Sequence, residues 1–209
     1  LGRFTDAVAV LEPLLTQLKD PGAFGQVAFY LGEGYSGLER YEDAALAYQR
    51  AMQSGTPQWA ALAQFGLGWA YYEIGRCEES LQPFEQYLSH TAEGGHRTEA
   101  LFARGSCFMT LRKEPEALRC FEEILARDPD HALALESGLI VAETYRKHGR
   151  LDFARALLHA LLRRYPDPLS RAPLQLLLGA VVLEQGNAAQ AQTVFELAAQ
   201  SDQPSIRQA

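Results

Sequence analysis

A short helical signature recurs six times along the chain at a nearly constant spacing. An alanine or a serine stands at its centre, and successive copies lie 36 or 37 residues apart. The six central residues are Ala7, Ala44, Ser80, Ala117, Ala154 and Ala191. Self-similarity at such a period is typical of solenoids, in which each unit buries its apolar face against the next unit. The period therefore predicts one elongated domain, and it favours a binding surface over a catalytic centre.

Each full unit carries two apolar patterns, and both have helical spacing. The first runs at i, i+1 and i+4 and begins with a pair such as Leu31 and Gly32. The second runs at i, i+4 and i+7, as in Ala44, Tyr48 and Ala51. Such spacings gather the apolar residues on one helix face. Each unit is therefore predicted to be a hairpin of a first helix, A, and a second helix, B. A glycine or alanine after the leucine lets helix B approach closely, and the aromatic residue four positions later fills the remaining space.

Other residues predict where these helices end or bend. Three glycines follow helix A and predict left-handed C-caps: Gly75, Gly149 and Gly186. Pro83 falls inside a B helix, where a kink is expected because proline lacks the amide proton. The stretch 89–97 has paired glycines and no apolar period, so it is predicted to be a loop.

This pattern resembles the tetratricopeptide repeat (TPR) family. The resemblance covers nearly the whole chain and implies an all-α fold, a right-handed α-solenoid of stacked antiparallel helix hairpins (a TPR-like superhelix). We expect a single solenoid over residues 1–209, with a half repeat at 1–20 and full repeats at about 24–57, 60–92, 97–130, 134–167 and 171–204. The usual unit has about 34 residues. The extra residues here are expected in longer B helices or in longer loops between units.

Composition narrows the classes of partner. The net charge of −7 argues against nucleic acid, whose phosphates attract basic surfaces. No apolar run approaches the ~20 residues that a membrane-spanning helix needs, so membrane insertion is not expected. Three cysteines without a CxxC pair predict neither a metal site nor a full disulfide framework. Scarce lysine beside abundant arginine suggests a bacterial source, and the incomplete first unit suggests a fragment of a longer array. The sequence is compatible with the bacterial cytoplasm and with the periplasm or envelope.

Two features invite a catalytic interpretation, and neither supports one. Residues 32–37 match G-x-G-x-x-G, but a dinucleotide site needs a preceding strand, and this stretch falls inside a predicted helix. Ser106 and Cys107 are possible nucleophiles, yet no histidine lies at a spacing that indicates a base. We therefore expect a protein without catalytic residues, cofactor or bound metal.

The resemblance implies that one face of helix A lines a concave groove in which ligands bind. The corresponding positions here are unusually apolar and aromatic, and the candidate groove residues are Phe29, Glu33, Phe65, Trp69, Tyr72, Phe102, Met109, Glu143 and Arg146. The aromatic residues are expected to anchor a partner. Glu33, Glu99 and Glu143 favour a partner that carries Lys or Arg. An alternative interpretation assigns this row to packing between repeats. A mixture, with the Phe row partly buried and Trp69 and Tyr72 exposed, is also open.

These observations predict a non-catalytic protein–protein interaction scaffold. Its groove would hold a peptide or helix of a partner that is apolar with some basic character. One alternative is an accessory, substrate-recruiting region of a larger enzyme or receptor. Another is a self-assembly module that associates through its uncapped ends.

Overall fold

A computed structural model describes residues 2–90 and 95–201 of the chain, and in these residues it contains eleven α-helices and no strand. The helices are α1 Gly2–Leu15, α2 Pro21–Ser36, α3 Tyr41–Gln53, α4 Pro57–Glu73, α5 Cys77–His90, α6 Arg97–Thr110, α7 Glu114–Arg127, α8 Ala132–Lys147, α9 Leu151–Arg164, α10 Pro168–Glu184 and α11 Ala188–Ser201. The predicted pairs of helices are therefore present: α2, α4, α6, α8 and α10 are the A helices, and α1 is the B helix of the half unit. The predicted repeat ends at 92 and 204 lie outside the described residues.

The chain divides into two compact units, Leu1–Cys120 and Phe121–Ala209. In the first unit, each helix from α1 to α6 packs against the next, and the A helices α2, α4 and α6 also contact one another in sequence order. In the second unit, α8 to α11 pack in the same way, and α8 also contacts α10. This nearest-neighbour pattern is that of a helical-repeat solenoid.

Close contact between helices depends on glycines that face a large B-helix side chain. A β-carbon at Gly32 of α2 would lie 2.6 Å from Cε1 of Tyr48, and one at Gly66 of α4 would collide with the same ring. Tyr48, which is 1% exposed, is thus held between two successive A helices. A β-carbon at Gly68 would lie 2.8 Å from Cδ1 of Phe84. The glycine after the leucine has the predicted role, and the ring that it admits comes from helix B.

The turn between helices A and B repeats with the same period as the sequence. In each turn one residue has a positive φ: Glu39, Gly75, Arg112, Gly149 and Gly186, with φ between 58° and 86°. The three predicted glycine C-caps are confirmed. In the other two turns a glutamate and an arginine adopt the left-handed conformation, which costs an L-residue roughly 1–2 kcal/mol.

Glycine at these two positions is expected to stabilise the protein. Glu39→Gly and Arg112→Gly should each raise the free energy of unfolding by about 0.5–1 kcal/mol, because relief of the left-handed strain exceeds the entropy that glycine loses on folding. Urea unfolding followed by circular dichroism measures this change. Gly75→Ala is the matched control and should lower stability; if all three variants matched the wild type, the argument from φ would be wrong.

Two local expectations need correction. The extra residues of the repeat do not lengthen the B helices, which hold 13 or 14 residues. In four units they extend the start of helix A, since α2, α4, α8 and α10 hold 16 or 17 residues. Proline favours these early starts because its fixed φ suits the first helical position, and Pro21, Pro57 and Pro168 begin three of them. Helix α6 holds 14 residues, and in its unit the extra residues lie between α5 and α6, as expected for a longer loop.

The predicted loop 89–97 is shorter than expected, because α5 continues to His90 and α6 begins at Arg97. Its residues 91–94 lie outside the described part. Helix α5 continues through the buried Pro83, and the kink expected there stays a prediction.

Candidate functional site

An open cavity of about 380 Å³ lies in the first unit, on the surface formed by its successive A helices. We name it the aromatic cavity. Its lining residues are Phe29, Glu33 and Ser36 of α2, Tyr48 of α3, Leu62, Phe65, Gly66 and Trp69 of α4, Tyr87 of α5, and His96 and Glu99 at the start of α6. Most of this lining is apolar or aromatic, and it includes two glutamates.

The walls of the cavity are aromatic rings held by one another. On α4, Phe65 and Trp69 lie one turn apart with ring centroids 5.9 Å from each other, and Tyr72 follows Trp69 at 5.5 Å. Phe65 also packs 5.3 Å from the ring of Tyr87. On α2, the Phe29 ring lies 6.0 Å from that of Tyr48. The aromatic surface is therefore fixed before any ligand arrives, which lowers the entropy cost of binding.

One glutamate of the cavity is oriented by the protein core. The hydroxyl of buried Tyr48 donates a hydrogen bond of 2.5 Å to Oε1 of Glu33, and it also lies 3.3 Å from Oγ of Ser36. Burial, followed by the nearby Glu33 carboxylate, raises the pKa of Tyr48 well above its usual range. Tyr48 therefore stays neutral and keeps its donated hydrogen bond at every pH at which the protein is ordinarily handled.

This raised pKa predicts a loss of stability in alkali. A tyrosine of the unfolded chain ionises near pH 10, whereas folded Tyr48 keeps its proton above that pH. The stability that Tyr48 contributes is therefore fully present below about pH 10 and is lost as the pH rises beyond it. Tyr35 adds to the effect, because burial and its hydrogen bond to Glu12 raise its pKa to about 12. Tyr48→Phe should reduce the fall in urea midpoint between pH 8 and pH 11. The exposed Tyr30→Phe is the control, and an equal effect of both variants would contradict the prediction.

His96 at the start of α6 covers part of the aromatic surface. Its imidazole stacks on Phe65 with centroids 4.5 Å apart and planes 12° from parallel. Its Nδ1 lies 3.5 Å from Oε1 of Glu99. The backbone amide of His96 donates a 3.0 Å hydrogen bond to the hydroxyl of Tyr87, which fixes the start of α6 against α5. The side chain of His96 remains 61% exposed.

The structure brings part of the predicted groove set together. Phe29, Glu33, Phe65 and Trp69 line one cavity, and Tyr72 packs beside it. The Phe row is partly buried, as the mixed interpretation expected, but Trp69 and Tyr72 are partly buried as well and not exposed. The reason is that both pack against the cluster formed by Phe84, Tyr87, Ala100 and Ala103.

The remaining candidates lie elsewhere. Phe102 and Met109 of α6 are partly buried and do not line the aromatic cavity. In the second unit, Arg146 of α8 donates two hydrogen bonds to Glu143, at 2.8 and 2.7 Å, and also pairs with Glu184 of α10. The bonds from Arg146 lower the pKa of Glu143. Because its charge is already balanced within the unit, Glu143 has less to offer a cationic partner than Glu33 has.

Sequence reasoning missed Tyr48, Tyr87 and His96 as lining residues. Tyr48 and Tyr87 occupy core positions of the helix B pattern. The only sequence signal that such a ring extends as far as the cavity is the presence of glycines in the flanking A helices. His96 lies in the stretch that has no apolar period.

In residues 2–90 and 95–201, no group of three or more His, Cys, Asp or Glu side chains could hold a metal ion. Within the same ranges, no helix has the length and apolar character needed to cross a bilayer.

Comparison with known proteins identifies the repeat. A tetratricopeptide repeat model matches residues 31–97 and 142–206, and a second model of the same description matches residues 99–131. Together the matches cover well over half of the chain. No curated protein sequence matches it.

Solved structures with a similar fold include the following three proteins. YrrB, "a TPR protein with an unusual peptide-binding site", is 19% identical over 84% of this chain and 85% of its own, with a TM-score of 0.67. MamA is 15% identical over 87% of this chain and 93% of its own, with a TM-score of 0.73. BtubC from P. vanneervenii is 17% identical over 100% of this chain and 94% of its own, with a TM-score of 0.67. At these identities the likeness shows the fold, an all-α helical-repeat solenoid.

Proposed function

Because the chain belongs to the tetratricopeptide repeat family, whose fold supports protein–protein interaction scaffolds, we propose that it is such a scaffold. In this proposal the aromatic cavity of the first unit holds an extended segment of a partner protein. The segment carries an apolar residue and a basic residue. The role is non-catalytic: the protein captures the partner.

One observation carries the proposal: aromatic rings and acidic side chains converge on the same cavity. Phe29, Phe65 and Trp69 offer rigid apolar surface, while Glu33 and Glu99 supply negative charge in the same lining. Apolar surface that remains open to solvent and is bordered by charge marks interaction sites in folded proteins. The sign of that charge selects a cationic partner.

The size of the cavity favours an extended segment over a helix. Its volume of about 380 Å³ is at the low end of the ~300–1,000 Å³ that ligand pockets span. One or two side chains fit into it, whereas a docking helix needs a longer groove for anchors at i, i+3, i+4 and i+7. YrrB, which shares the fold, has a peptide-binding site according to its title, and a peptide ligand for the present chain is in keeping with that.

Selection from a random peptide library tests the proposal. Nonapeptides displayed on phage or ribosomes are selected on the wild-type protein and then counter-selected on Trp69→Ala. Leu46→Ala is the matched control, because Leu46 is a large apolar residue of the same unit that is 55% exposed and lies outside the cavity. We expect apolar and basic peptides that bind wild type and Leu46→Ala equally and lose affinity for Trp69→Ala. Peptides that bind all three proteins equally would contradict the proposal.

A second candidate function, self-association, is favoured by an apolar depression in the second unit. Its volume is about 440 Å³, and it is lined mainly by Leu183 of α10 and by Ala188, Ala191, Phe195 and Ala199 of α11. Leu183 is 50% exposed beside it. Sedimentation velocity over a dilution series should detect oligomers that Leu183→Glu abolishes. A protein that stays monomeric at high concentration would exclude this candidate.

A further inference from the structure

We infer that the aromatic cavity selects arginine, and not lysine, as the basic residue of the bound segment, an inference that rests on the proposed function. Arginine enters by displacing the imidazole of His96 from the face of Phe65. His96 is thus an internal occupant of the arginine site when no partner is bound.

The position of His96 defines what the site accepts. A planar, nitrogen-bearing ring lies nearly parallel to Phe65, and one of its nitrogens points to the carboxylate of Glu99 at 3.5 Å. A guanidinium is also planar, stacks on aromatic faces and carries N–H donors along its edge. The ammonium of lysine is a compact, strongly hydrated charge that cannot stack in this way. The ring face and the carboxylate that suit His96 therefore suit arginine better than lysine.

A second carboxylate strengthens this selectivity. Glu33 lies on α2 and Glu99 on α6, so that the cavity presents acidic groups from two different helices. The hydrogen bond from Tyr48 holds the Glu33 carboxylate by Oε1. A guanidinium has five donors in a rigid fork and can satisfy acceptors in more than one direction while it stacks. A guanidinium stacked on Phe65 would exchange part of its surrounding water for the rings of the cavity, which strengthens both the ion pairs and the cation–π contact.

Displacement of His96 requires little repacking. Its side chain is 61% exposed, and the bond that anchors this residue to Tyr87 comes from the backbone amide. The imidazole can therefore rotate away while the start of α6 stays in place. It follows that His96→Ala should increase the affinity for arginine peptides several-fold, because the guanidinium then no longer competes with the imidazole for Phe65 and Glu99.

The test uses a peptide that has survived counter-selection on Trp69→Ala. Its basic residue is made arginine, lysine or citrulline, which is planar but uncharged, and dissociation constants are measured by fluorescence anisotropy. We expect lysine and citrulline each to weaken binding on the order of tenfold. We also expect Glu99→Gln to reduce the difference between arginine and citrulline. Circular dichroism and the urea midpoint of Glu99→Gln and His96→Ala establish that both variants fold.

The outcomes separate the two proposals. Selected peptides that depend on Trp69 but bind equally well with lysine, or that contain no basic residue, overturn the arginine inference and leave the scaffold function standing. Weaker binding to His96→Ala than to wild type also overturns it, because His96 would then be part of the wall that contacts the ligand. Failure to obtain any peptide that depends on Trp69 overturns both proposals.

Discussion

Gly66→Val is expected to lower the free energy of unfolding by about 3 kcal/mol, since forcing extra carbon atoms into a well-packed core costs roughly 1–3 kcal/mol and sometimes more. Gly66 is buried in α4, and a β-carbon there would meet the ring of Tyr48. That ring has little room to yield, because it is buried and also packs against Gly32 of α2, where an added β-carbon would lie 2.6 Å from Cε1 of Tyr48. Urea unfolding followed by circular dichroism gives the change in free energy.

A double-mutant cycle assigns this loss to the contact itself. Tyr48→Ala alone should cost about 3–5 kcal/mol as a large-to-small core change. In that background Gly66→Val should cost at least 1 kcal/mol less than it does in wild type, because the added methyl groups enter the vacated space. Gln82→Val, at an exposed position of α5, controls for the intrinsic effect of valine in a helix and should stay within about 1 kcal/mol. Additive effects of the two core changes would refute the proposed contact.

Trp69→Ala is expected to weaken binding of a selected peptide by about 30-fold, equivalent to ~2 kcal/mol, the range of an interface hot spot. Trp69 supplies the largest ring of the cavity, and Phe65 and Tyr72 hold it in place from either side. Truncation therefore removes contact area with the ligand and also loosens the neighbouring wall.

Glu196→Ala, an exposed position on α11, is the control for Trp69→Ala and should leave affinity unchanged. Isothermal titration calorimetry at a single salt concentration measures both variants, and their urea midpoints establish that each is folded. Equal, small effects of the two variants would rule out the aromatic cavity as the binding site.

The repeat period predicted most of the fold, because each unit buries its apolar face locally and leaves a local sequence pattern. Leu31 and Ala44 marked helices A and B correctly without any knowledge of tertiary contacts. Residue type alone did not reveal the left-handed turns at Glu39 and Arg112, since neither residue favours that conformation. Their distance of 36 or 37 residues from a glycine turn was the available signal. The longer A helices were missed because the apolar pattern that marks helix A does not extend to its first turn, where Pro21, Pro57 and Pro168 stand.

The candidate site was predictable only in part, because it combines residues with different sequence signals. Phe65 and Trp69 follow from the spacing of helix A, which selects a face. Tyr48 belongs to the core pattern of helix B, and sequence periodicity does not tell how far a buried ring extends. His96 belongs to a stretch without periodicity, and its stacking on Phe65 depends on where α6 begins. Tertiary geometry decides both of these positions.

A single mutation at Tyr48 affects both the stability of the fold and the geometry of the aromatic cavity. The Tyr48 ring is wedged between Gly32 and Gly66, and its hydroxyl orients Glu33 at the edge of the ligand surface. Selection for a folded protein therefore preserves the ring of Tyr48, and with it the position from which its hydroxyl faces residue 33, even in a lineage that has lost its partner.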